Sequence, residues 1–413
     1  MRIFILISLS LWLFYNLPVY AQDSTKIKDL EQRIKNLEEK IAQSELDKLR
    51  QEAENVAREK KEVKSKTFKG GQRSLQAINP EISITGDMYG LYIGNEEHYT
   101  EDLRSGAHFR VIGMHLQSNL DPFSLAKVAL EFTPKGFELG EAYMTLTKVI
   151  PGISLTLGKF RQQFGVVNRW HAHSLDQFDF PLALSTILGE EGLNQTGLSI
   201  DWLMPAFLGD ANSLIVQITN GQNEHLFSGE FFSFPSALAH FKSYYDITQN
   251  TYLEFGLTGL YGRNDINGYI DGEKHTEPQR DTYAAGFDLT LLWQPVNKAL
   301  YHSFIWRSEL YYADKTLPEN SEITAWGGYS YLEYQLNARW QMGFRFDYTQ
   351  PFEINNSDLY VYQLVPYLTW WQSHWVKFRL QYNYLAGNAV EQTGNFVRLQ
   401  IVWAMGPHKH ERY

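Results

Sequence analysis

The sequence contains no cysteine. Disulfide staples and thiolate chemistry are therefore excluded, and stability has to come from packing or backbone pairing. Long apolar runs are also lacking beyond the N-terminus. No later stretch approaches the ~18 apolar residues of a membrane helix, and the mean hydropathy of −0.35 is that of a soluble chain. Positive charge is in deficit, with a formal net charge of −10, which argues against nucleic acid as a partner. No Gly-x-Ser-x-Gly elbow and no His-Glu-x-x-His occurs. A hydrolase thus has no motif behind it, and the chain reads as a non-enzyme without cofactor.

Aromatic residues are what the chain has in excess, at 15% with 25 tyrosines and 25 phenylalanines. An aromatic load without hydrophobic blocks suits strands that face lipid on one side and water on the other.

The single apolar run lies at the start. Arg2 precedes Ile3 to Tyr15, and Pro18-Val19-Tyr20-Ala21 offers small residues at the −3 and −1 positions of a cleavage site. The segment 1–21 therefore reads as a Sec-type signal peptide, with Gln22 as the mature start. Residues 25–66 are charge-dense, and Ile27, Leu30, Ile34, Leu37 and Ile41 repeat at alternating spacings of three and four. That is a heptad seam, predicting a short α-helical coiled coil whose Ile-at-a, Leu-at-d pattern favours two strands. Leu49, Ala53 and Val56 resume the seam after a shift. A solvated single helix acting as spacer is the other reading. Residues 67–80, with Gly70-Gly71, form a linker.

Beyond Pro80 the hydrophobic period becomes two. Val397, Leu399, Ile401 and Trp403 alternate with Phe396, Arg398, Gln400 and Val402, and the same holds around Val376–Tyr384 and Trp340–Tyr348. Such segments predict an all-β fold, a transmembrane antiparallel barrel of about sixteen strands over 81–406, with 407–413 as a tail. Connections after even strands are mostly short, such as Thr248-Gln249 and Gln372-Ser373, whereas 164–192, 221–235 and 263–281 are long. Short turns belong to the periplasm, which places both termini and the coiled coil there and the barrel in the outer membrane. The aromatics sort with this register. Trp202, Trp293, Trp340, Trp371, Trp375 and Trp403 fall beside short turns, and Tyr261, Tyr283, Tyr312, Tyr348, Tyr360 and Tyr384 towards the other ends. Two interfacial belts are expected of a lipid-embedded barrel.

Glu141-Ala142-Tyr143, then Leu157-Gly158-Lys159-Phe160-Arg161 and Phe164-Gly165, carry a resemblance over residues 109–205. This stretch resembles the phosphate-selective porin O and P family. The resemblance implies a trimeric sixteen-stranded channel, in some members selective for phosphate or polyphosphate through a ladder of Arg and Lys. Here the longest loop departs from that pattern, with Arg169 as its one arginine and several carboxylates.

A barrel of this width encloses an aqueous channel, so the loop 164–192 is the expected constriction. It carries Arg169, His171, His173, Asp176, Asp179, Glu190 and Glu191, and Arg345, Lys377, Arg379 and Arg398 project from the opposite wall. Opposed charges would set a transverse field that orients small ions or polar solutes. Local pairing with Asp347, Glu333 and Glu309 on the same wall is the alternative. His171-x-His173 and His408-x-His410 place two imidazoles on one side of an extended chain, but neither has a third metal ligand at fixed spacing. The function expected is a passive porin, a homo-oligomer in outer-membrane lipid. A non-conducting anchor whose coiled coil grips a periplasmic partner, or an outer-membrane hydrolase, are the competing classes.

Overall fold

The computed structural model describes residues 81–94, 104–227, 234–266, 275–317, 322–353, 358–390 and 393–406. The signal peptide, coiled coil, linker and C-terminal tail expected above lie outside these residues. Among the described residues, strands of alternating character run in chain order: β1 (Glu81–Ile93), β2 (Gly106–Asp121), β3 (Ser124–Thr133), β4 (Gly136–Ile150), β5 (Ile153–Arg161), β6 (Asn194–Met204), β7 (Ala211–Thr219) and β8 (Ser236–Thr248). They continue as β9 (Thr251–Ile266), β10 (His275–Trp293), β11 (Phe304–Thr316), β12 (Glu322–Gln335), β13 (Trp340–Gln350), β14 (Val361–Ser373), β15 (Val376–Gly387) and β16 (Gly394–Met405). Each pairs antiparallel with its sequence neighbours, and β1 pairs with β16 from Ile84↔Met405 to Ile93↔Phe396, so the sheet closes. Closure leaves no unpaired edge.

The solvent pattern of the strands is inverted relative to a soluble protein. On β15, Leu380 is 50% exposed while its neighbours Arg379 and Gln381 are 3% and 1% exposed. On β12, Leu332 is 46% exposed and Glu333 only 5%. Period-two side chains thus present an apolar exterior and a polar lumen, the partition that lipid outside and water inside require. Tight turns join one end of the sheet. Pro122-Phe123 links β2 to β3, and the Phe123 N–H donates to the Asp121 carboxylate at 2.7 Å. Both described ends of the barrel lie at that rim, where Glu81 pairs with Gln117 and Ile84 with Met405.

Two expectations change. The span 263–281 is not all loop, because β9 continues to Ile266 and β10 begins at His275. Trp371 does not join the outer belt: its indole N–H donates to Gln341 at 2.9 Å and its ring faces the Lys377 ammonium at 5.5 Å, both on the lumen side. The sequence places a tryptophan beside a turn but does not fix its parity. At the opposite rim the exterior tyrosines do gather, with Tyr261–Tyr283, Tyr348–Tyr360 and Tyr362–Tyr384 centroids 5.2, 6.0 and 6.3 Å apart.

Candidate constriction in the lumen

Residues 162–193 leave β5, cross the lumen and return to β6. The neck is closed by the Gln162 N–H donating to the Leu193 carbonyl at 2.9 Å. Asn168 braces it, donating to the Gln162 and Leu193 carbonyls and accepting the Leu193 N–H. Gly165 sits at φ +62°, and a Cβ there would meet the Glu309 carboxylate. The turn needs glycine for both reasons. Glu309 then accepts the Val166 and Val167 N–H groups at 3.3 and 3.1 Å, together with the Tyr311 and Tyr329 hydroxyls.

From this turn the loop packs into an apolar seat. Phe164, Trp170, Leu175 and the helix α1 (Leu182–Leu188) bury Leu184, Ile187 and Leu188 against Leu238, Leu260, Tyr311, Ala325, Tyr329 and Phe352. Leu226 and Phe227, from the connection between β7 and β8, complete it. The barrel therefore has its hydrophobic core inside the lumen, between loop and wall rather than between two sheets.

The middle of the loop is held by polar contacts instead. Asp176 accepts the Tyr331 hydroxyl and lies 3.7 Å from Arg307. Arg345, wholly buried, contacts Asp347 at 2.9 Å and Asp179 at 3.5 Å, and donates to the Asp179 carbonyl. Gln381 and Asn383 also donate to Asp179, at 2.7 and 3.1 Å. Burial alone would raise the Asp179 pKa, but Arg345 and Arg398 outweigh it and hold the carboxyl below its ordinary range. Lys377 donates to the His173 carbonyl and Arg379 to the Leu175 carbonyl. Arg398 and Arg110 flank the Phe178 ring at 5.0 and 4.2 Å, a cation–π arrangement.

On the other side His171 lies between two carboxylates. Its Nδ1 is 3.0 Å from Glu131 and its Nε2 is 3.0 Å from Glu141, and Lys127 stands 3.6 Å from Glu141. The His115 and His173 rings lie at 4.9 and 5.6 Å from the His171 ring.

The structure thus brings the loop's His173, Leu175 and Asp179 into contact with Lys377, Arg379 and Arg345 of the wall, with Asp176 beside Arg307 and Arg398 beside Phe178. Arg169 donates to Gln163 at 3.1 Å. Glu190 and Glu191 are exposed at the loop's far end, where the Glu191 carbonyl accepts from Arg161. The charges meet in contact rather than as rows separated by water, and Arg345 takes its local partner Asp347 and the loop's Asp179 together. Sequence reading missed His115, Glu131 and Glu141 as the loop's second anchor, and Arg110 and Arg307. Their inward parity on β2–β4 and β11 is the signal that would have found them. Among the described residues no group of three or more His, Asp or Glu could hold a metal ion, and His408-x-His410 lies outside those residues. Below the loop, towards the short turns, a cavity of about 320 Å³ is lined by Trp170, His240, Lys242, Glu254 and Arg307 among others.

Closed barrel, polar lumen and inward loop together define a sixteen-stranded antiparallel β-barrel partly filled by its own loop. No protein-family model matches the chain. An uncharacterized protein of Aquifex aeolicus (strain VF5) is 27% identical over 301 residues, which is 67% of this chain. The chain spans 61% of the length of that relative. Solved structures share the fold. An anion-selective porin from Comamonas acidovorans has a TM-score of 0.55 at 10% identity, covering 79% of this chain and 100% of that one. OprB of Pseudomonas putida gives 0.54 at 12% identity, covering 81% and 97%. A trimer form of OmpT, an outer membrane protein of Vibrio cholerae, gives 0.52 at 11% identity, covering 80% and 100%.

Proposed function

We propose that the chain is an outer-membrane porin, a passive channel for small ions or polar solutes narrowed by its inward loop. The observation that carries this is the inverted partition of a closed sixteen-stranded barrel: apolar outward, charged inward around a loop that crosses the lumen. The charged lumen supports diffusion of hydrated solutes. Localisation follows from the same partition together with the N-terminal signal 1–21. The coiled coil 25–66 would hang in the periplasm and contribute to a homo-oligomer, dimeric by its heptads or trimeric by resemblance to phosphate-selective porins.

Because Asp176 and Asp179 are neutralised by contact with Arg307 and Arg345, each substitution releases the opposite charge. Asp179→Asn should move selectivity towards anions, and Arg398→Gln towards cations. High salt should shrink both shifts, since the Debye length falls to ~3 Å at 1 M. Reversal potentials across a planar bilayer in a salt gradient measure this. A folded barrel that passes no current would sink the channel and leave the periplasmic anchor in its place.

A further inference from the structure

We propose that His171 is a charged latch, whose loss of a proton releases the middle of the lumen loop and widens the passage. This rests on the channel reading for its consequence, but the latch itself stands on geometry. An imidazole can bridge two carboxylates through both ring nitrogens only if both carry hydrogen, because a lone pair facing a carboxylate oxygen at 3.0 Å would repel it. His171 therefore binds as imidazolium, between Glu131 on β3 and Glu141 on β4, and is itself buried.

The groups facing this bridge come from every neighbouring element. His115 approaches from β2, Lys127 from β3, Arg161 from β5, and His173 from the loop itself. Burial and Arg161 oppose the charge on His171, and the two carboxylates outweigh them, so its pKa lies above the ordinary value. A raised folded pKa means that docking is complete below the ordinary imidazole value of ~6.5 and is lost as pH rises through the raised one. Both contacts from the His171 ring reach the β3–β4 wall, at 3.0 Å each. The contacts on the far side, Lys377 to the His173 carbonyl and Arg379 to the Leu175 carbonyl, are made to backbone oxygens and do not pass through the His171 ring. Release is therefore one-sided: the loop stays seated on β11–β15 and parts from β3 and β4.

The cysteine-free chain permits a single nitroxide at Ala172→Cys in the folded, full-length barrel. Its mobility by electron paramagnetic resonance would be followed from about pH 5 to about pH 10, with His171 titrated by NMR in the same detergent. Mobility should rise with the same midpoint as the His171 titration, on the alkaline side of ~6.5. Glu131→Gln should move both midpoints down by about one pH unit, since one of two charged partners is gone. His171→Gln should leave mobility flat across the range. A label whose mobility ignores the His171 titration, or a His171 that titrates at or below its ordinary value, would overturn the latch. Conductance recorded on the same samples judges the channel separately. An alkaline rise in mobility without current at any pH would retain the latch and remove the porin.

Discussion

Along the β8–β13 wall the loop rests on Phe164, Trp170, Leu184, Ile187 and Leu188, all nearly or fully buried in an apolar seat. Over β2–β4 and β15–β16 the same loop is held by His171, Asp179 and a set of amides and guanidinium groups. Burying an apolar side chain contributes roughly 1.5–3 kcal/mol, independent of pH and little changed by salt. A buried ion pair contributes little net over its desolvation cost, yet loss of one partner is severe. The apolar side therefore sets where the loop sits, and the ionic side sets how it responds to its medium.

The largest break in this comparison is Arg345→Met. It strands Asp347 and Asp179, and should cost about 3–5 kcal/mol, read as a lower midpoint in denaturant titration of the folded barrel. Adding Asp347→Asn should return part of the loss. A change well under ~1 kcal/mol would mean that water reaches this pair and that the ionic side is surface-like. Leu184→Ala on the apolar side should cost about 3 kcal/mol, with the same loss at low and high salt. A salt-dependent loss would show that the seat relies on nearby charges. The smallest effect is expected for Arg263→Ala. Its 3.2 Å contact with Asp281 joins side chains 40% and 43% exposed, so the change should stay below ~1 kcal/mol and vanish in high salt.

The strands were legible because each of their two faces meets a different solvent, which writes a period of two into the sequence. Leu399 and Arg398 differ for that reason alone. The longest loop was legible by its length and by the short turns opposite. Its docking was not legible. Glu131 and Glu141 look in sequence like any residues wetted by a channel, and only the fold shows that His171 reaches both. The apolar seat was equally hidden: Leu238 and Leu260 interrupt the polar parity of β8 and β9 singly, and they join Ala325 and Tyr329 of β12 in one patch only when the barrel closes around the loop. Sequence gives no distance between charges on loop and wall, so contact could not be told from separation across water.

The seam between first and last strand has a consequence for how the molecule is made. Asp87 on β1 accepts the Gln400 amide at 2.8 Å and Arg110 at 3.2 Å, and Asp87 and Gln400 are 313 residues apart in the chain. Hairpins along the wall can zip between neighbours, but this junction closes only once β16 has taken its place beside β1. Until then the two edges of the open sheet present unpaired amides and carbonyls, a template for pairing with another copy. The entropy of joining such distant segments adds a late, slow step. A nascent chain truncated before β16 would keep most of its strands and still lack a sealed wall. Biogenesis of this fold thus hinges on its final dozen strand residues, Gly394–Met405.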